Sequence, residues 1–121
     1  MPHVIFYREE EGSTPILDWF DRPPQEARVQ CIGKIELLKA RGHELRRPHA
    51  DYLRDGIHEL RAKSQGVNYR MLYFFHGRQA VVLSHGVTKQ RAAVPPIEIE
   101  RAKHRKRAFV DEPQRHTHKE T

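Results

Sequence analysis

The sequence predicts a small α+β domain of order β-α-α-β-β-β-α. Three observations predict it. A β-branched and aromatic run opens the chain, two proline-led helical patterns follow it, and three strand-like runs then come in succession before a last charged helix.

Residues 3–8, HVIFYR, read as the first strand, ended by the acidic turn Glu9-Glu10-Glu11-Gly12. Thr14-Pro15 reads as an N-cap followed by a first-turn proline. Ile16, Leu17 and Phe20 then form the apolar face of a short helix ending near Asp21. Pro23-Pro24 opens a longer helix to about Arg41, with Cys31, Ile32, Ile35 and Leu38 at helical spacing and Gly42 as its stop. Residues 43–56 show no clear period and read as loop. Strands follow at 57–63, 67–75 and 80–89, punctuated by Gln65-Gly66 and His76-Gly77. Pro95-Pro96 starts the charged helix IEIERAKHRKRAF, running to about Phe109. Together these elements give one domain over residues 1–110. Residues 111–121 are polar and aperiodic, and read as a disordered, dispensable tail.

Composition narrows the function. A chain of 121 residues fits one domain. No apolar run approaches the ~20 residues of a membrane span, and MPHVIFYREEE lacks a signal-peptide pattern, so a soluble, cytosolic protein is expected. Cys31 is the single cysteine, which excludes an internal disulfide and any multi-cysteine metal site. The net charge is +6 and unevenly spread. Residues 1–60 hold 9 basic and 11 acidic side chains, a net of −2; residues 61–121 hold 13 and 5, a net of +8. Such asymmetry points to a polyanion, most often nucleic acid.

Strand alternation sorts the candidate site residues. Ile57, Glu59, Arg61 and Lys63 share one face. Arg70 lies on the face of Asn68, Leu72 and Phe74, and His85 on that of Leu83, Val87 and Lys89. Convergence of Arg61, Arg70 and Lys89 from three strands would suit metal-free RNA cleavage. There the 2′-hydroxyl attacks phosphorus, arginine neutralises the added charge through its planar fork, and a base and an acid move protons. His85 is the candidate for proton transfer, with His104 behind it. For each residue the structural alternative is a solvated charge or an ion pair, as between Arg61 and the neighbourhood of Glu59. Ser84-His85 resembles a nucleophile–base pair, but adjacent strand residues point to opposite faces. In the last helix Arg101, Lys103, His104, Arg105, Lys106 and Arg107 surround a narrow stripe of Ile99, Ala102 and Phe109. Lys63, Lys103, His104, Arg105 and Arg107 are the candidate RNA contacts. Tyr69, Tyr73, Phe74 and Phe75 fit core better than base stacking. The scattered histidines, including His116 and His118 in the tail, give no metal spacing, and no cofactor fingerprint is present.

Four segments carry a family resemblance: ELR (59–61), YRMLYFF (69–75), VVLSHGVTKQ (81–90) and P-x-E-I-x-x-A (96–102). In order and spacing they resemble the HigB-like, phage-derived branch of the RelE/ParE superfamily of type II toxins, over roughly residues 3–109. The resemblance implies a RelE/ParE-like fold and a ribosome-dependent mRNA endonuclease, neutralised by a helix-turn-helix antitoxin. By motif it places Arg70 as the phosphate-stabilising arginine, Arg61 as the arginine of Leu-Arg and Lys89 as the first basic residue after the last strand. The chain departs from the pattern at Glu59, where RelE has lysine, at Val87 and Gln90, and in having no tyrosine after Tyr73. The alternative on the same fold is a ParE-like gyrase inhibitor that binds without catalysis.

Overall fold

The computed structural model describes residues 3–89 and 93–119. Its elements are β1 (His3–Phe6), α1 (Pro15–Phe20), α2 (Gln25–Arg41), a 3-10 turn (Gly42–Glu44), β2 (Ala50–Arg54), β3 (Ile57–Ser64), β4 (Val67–His76), β5 (Ala80–Lys89) and α3 (Pro96–Asp111). The five strands form one sheet in the order β1-β5-β4-β3-β2, antiparallel except for the parallel β1–β5 pair. The α+β class holds and the architecture is consistent with a RelE-like fold. One strand exceeds expectation: β2 lies in the segment 43–56 expected to be loop. Asp55-Gly56, both at positive φ, make the tight turn that returns β2 to β3, a conformation glycine adopts freely.

Each sheet face has its own core. Ile16, Trp19, Ala27, Cys31, Ile35 and Leu38 of the helical hairpin pack on Leu60, Ala62, Tyr69, Met71, Tyr73, Val81 and Leu83. On the opposite face Ile99, Ala102 and Phe109 of α3 pack on Ile57, Leu72, Phe74 and Val82. Tyr69, Tyr73 and Phe74 are thus core. Ile32 is not: it is exposed on the outer side of α2, as is Val29. Hairpin and sheet meet closely at Gly86, where a Cβ would overlap the Trp19 ring. The Trp19 indole N–H donates to Thr88 Oγ1 at 3.1 Å.

A β-bulge sets the faces of β5. Leu72 lies opposite His85 while Tyr73 lies opposite Leu83, leaving Ser84 unpaired. The extra residue shifts the alternation. Leu83 joins the hairpin-side core, whereas His85 and Val87 face the α3 side, so the expected grouping of His85 with Leu83 is corrected.

The expected loose tail is likewise replaced by an ordered strap. Thr117 bridges Tyr7 in antiparallel fashion, and Arg8 N–H donates to His116 C=O while His118 N–H donates to Phe6 C=O, both at 2.9 Å. The His116 ring stacks on Tyr7 at 5.1 Å. Thr14, read as a helix cap, uses its hydroxyl on His118 Nδ1 at 2.8 Å instead of on α1. The strap pairs with the chain just after β1, so the edge strand gains a cover.

Candidate functional site

The α3-side face of β3, β4 and β5 carries the site. Strand register puts Arg61 directly opposite Arg70, and Arg70 opposite Val87. One row along, Glu59, Leu72 and His85 line up; one row the other way, Lys63, Asn68 and Lys89 do. Lys89 therefore falls next to the arginine row by backbone position, and its side chain, like residues 90–92, lies outside the described set.

Glu59 organises the arginines. It is only 2% exposed, and its carboxylate takes Arg70 Nη1 on both oxygens and Arg61 Nε at 3.2 Å. Asp51 of β2 takes Arg61 Nη2 at 3.2 Å and Arg47 Nη2 at 2.9 Å. The hydrogen bond from Arg47 holds the Asp51 carboxyl below the usual carboxylate range. Four charges thus alternate from Asp51 to Arg61 to Glu59 to Arg70. A buried carboxylate between two guanidiniums fixes their planes, because losing either partner would strand a buried charge. Arg70 is 7% exposed, and its Nε is buried with no hydrogen-bond partner. Sheet alternation placed Glu59 on the face of Arg61, two residues apart. Its equal hold on Arg70 depends on the strand register, which the sequence does not carry.

His85 sits in a separate network. The bulge turns Ser84 to the same side, so Ser84 Oγ and His85 Nδ1 are 2.8 Å apart, contrary to the expectation that adjacent residues diverge. His85 Nε2 meets Glu98 Oε1 at 3.1 Å, and Arg105 reaches Ser84 Oγ at 3.4 Å. An ionised carboxylate only accepts, so Nε2 carries the proton and Nδ1 accepts from the Ser84 hydroxyl. Burial, with Arg105 alongside, pushes the imidazole down to about 4 against the pull of Glu98. His85 is therefore neutral at pH 7 with both nitrogens engaged. Ser84 is wholly buried, which denies it the access a nucleophile needs.

The candidate RNA contacts do not form one surface. Lys103 leans towards the β2–β3 turn, pairing with Asp55 at 3.1 Å and Glu100 at 3.4 Å. Arg105 leans the other way, pairing with Glu9 at 3.2 Å and lying 5.8 Å over the Tyr7 ring. His104 and Arg107 are exposed on α3, and Lys63 is exposed towards the end of β3. A cleft of about 470 Å³ runs beside Gly86, Val87 and Thr88, bordered by Trp19, Arg22 and Glu98. Among the described residues no group of three or more His, Cys, Asp or Glu side chains could hold a metal ion. None of the helices described is long and apolar enough to cross a membrane.

No curated protein matches this chain. Residues 18–107 match the family model described as Phage derived protein Gp49-like (DUF891). That span contains the end of α1, all of α2, strands β2 to β5, the arginine row and most of α3. With more than half its length matched, the chain belongs to the Gp49-like phage-derived family, a family of RelE/ParE-type toxins.

Proposed function

We propose that this chain is the toxin of a type II toxin–antitoxin module, HigB-like in kind, and that it cleaves mRNA on the ribosome. The observation that carries the reading is the cross-strand Arg61–Arg70 pair on a rigid sheet, with a buried Arg70 Nε that no protein atom satisfies. A phosphate oxygen is the acceptor such a donor suits. In the reaction the RNA 2′-hydroxyl gives its proton to water and its oxygen bonds to phosphorus, while the bond to the 5′-oxygen breaks and that oxygen takes a proton from water, leaving a 2′,3′-cyclic phosphate and a 5′-hydroxyl. The protein's largest contribution is to neutralise charge at phosphorus through Arg70 and Arg61, with Lys89 beside them. Phosphate competes with Glu59 for the fork of Arg70, so substrate exchanges one anion for another and supplies the acceptor that Arg70 Nε lacks. His85, with both nitrogens committed, acts through the β5–α3 junction and not by taking the 2′-proton. A helix-turn-helix antitoxin and a cytoplasmic setting belong to the same reading.

Arg70→Ala tests it. Toeprinting on translating ribosomes should show cleavage reduced ~10²- to 10³-fold with the melting profile still cooperative. Arg70→Lys should restore only part, since a point charge replaces a fork. Full cleavage by Arg70→Ala would sink the assignment. Toxicity without any cleavage, accompanied by gyrase inhibition, would select the ParE-like alternative.

A further inference from the structure

The β2 edge of the sheet holds a second cleft, of about 480 Å³, whose lining includes His43, Arg46, Arg47, Asp51, Tyr52 and His58. Rings and guanidiniums dominate it, with one carboxylate, Asp51. Tyr52 is the feature that the fold does not explain. It is 55% exposed, although tyrosine rings of this size normally contribute to a core. Its ring is nevertheless held: the hydroxyl accepts the Gly56 N–H at 3.0 Å, and the His58 ring meets it edge-on at 5.0 Å. His58 in turn stacks on Tyr73 at 5.1 Å and abuts Phe75, on which His43 stacks at 3.7 Å. The two outer rings, Tyr52 and His43, are thus anchored to a rigid aromatic ladder that ends at the cleft.

Charge surrounds the rings. Arg46 is exposed and makes no ion pair among the described residues, and Arg47 keeps 74% of its side chain exposed while one nitrogen holds Asp51. Burial, with His43 next to it, lowers the proton affinity of His58, so its ring presents a neutral face. Asp51 touches Arg47 on the cleft side and Arg61 on the other, so the cleft is continuous with the arginine row through one carboxylate.

We propose that this cleft is a nucleotide subsite for single-stranded RNA, in which a base stacks on Tyr52 and the adjoining phosphate lies against Arg46 and Arg47. A preset exposed ring next to exposed guanidiniums is the arrangement by which proteins hold unpaired strands without reading their sequence. The subsite takes a nucleotide further along the strand than the one at Arg70, on a path that crosses β3 and turns over the β2 edge to the face Tyr52 shares with His58, and in that sense it rests on the RNA-cleaving reading. An acidic protein segment would satisfy Arg46 and Arg47 but would leave the anchored Tyr52 ring without a flat partner.

The test uses the full chain and a labelled single-stranded RNA 12-mer with every 2′-hydroxyl methylated, so that binding is read with cleavage impossible. Tyr52→Ala should weaken binding roughly 10- to 100-fold, while Tyr52→Phe, which loses only the hydroxyl, stays within about twofold. Placing one abasic nucleotide at the stacked position should abolish the difference between Tyr52→Ala and wild type. Arg46→Ala should lower the salt slope of log affinity by about 0.7, the share of one single-strand phosphate. Equal affinity of Tyr52→Ala and wild type overturns the subsite, as does an equal loss in Tyr52→Phe. Tyr52-dependent binding of a polyglutamate peptide at matched charge overturns it in favour of a protein partner. If Tyr52→Ala fails to fold, the Arg46→Ala slope decides alone. Tyr52-dependent binding in a protein that never cleaves ribosomal mRNA would refute the endonuclease and leave the subsite standing.

Discussion

An exposed imidazole takes up a proton near pH 6.5, whereas burial beside Arg105 delays that step at His85 to about pH 4. Between those values the unfolded chain binds more protons than the folded one, so stability rises with pH across the window and falls on acidification. The groups facing His85 are Ser84, Glu98, Arg101 and Arg105, and the carboxylate partly offsets the cations. His58, lowered first by burial and then by His43, adds a slope of the same sign. The urea midpoint of the wild type should drop between pH 7 and pH 5, and that of His85→Gln should drop less. Parallel curves would show that His85 protonates as readily folded as unfolded. At this scale the sequence was half legible. Alternation alone grouped Glu59 with Arg61 and Asn68 with Arg70, because β3 and β4 pair without interruption. It misplaced His85 because one unpaired residue, Ser84, resets the period, and nothing in SHG announces it.

Two glycines separate the pressures on whole elements. Gly33 lies in the middle of α2 with nothing within reach of a Cβ, so the helix bears its entropic cost without a packing return. Gly33→Ala should stabilise the fold by about 0.5–1 kcal/mol in a denaturant titration. Gly86 is the opposite case, since a methyl there displaces Trp19 and its bond to Thr88. Gly86→Ala should cost about 1–3 kcal/mol. Neutrality at Gly86 would mean that α1 slides freely over β5. The helices and the three long strands were readable from apolar spacing, since each buries a continuous stripe. Strand β2 was missed because ADYLR is short and only half-buried, although Asp55-Gly56 is itself a hairpin signal. The same weak amphipathy left Ile32 assigned to the core side of α2, where Cys31, Ile35 and Leu38 already complete the buried stripe.

On the scale of the whole molecule, three layers are closed at one edge by the strap of residues 113–118. A tail without large apolar side chains reads as unstructured, yet its backbone hydrogen bonds and the His116–Tyr7 stack supply what the composition lacks. A chain ending at Glu112 should lose about 1–2 kcal/mol and melt roughly 5–10 °C lower, with Tyr7 newly accessible to solvent. An unchanged melting temperature would return the segment to the status its composition suggested. The uneven charge also resolves at this scale: much of the positive excess in the second half is paired with carboxylates of the first half, Glu9, Glu10, Asp51, Asp55 and Glu59. The strap has a temporal consequence as well. Strand β1 has its sheet partner at residues 80–83 and its strap partner at 116–118, both far from it in sequence. During synthesis β1 must wait, unpaired, until the hairpin of β4 and β5 has been made. The sheet is therefore complete only once β5 has joined β1, and the strap is laid along the β1 edge after that.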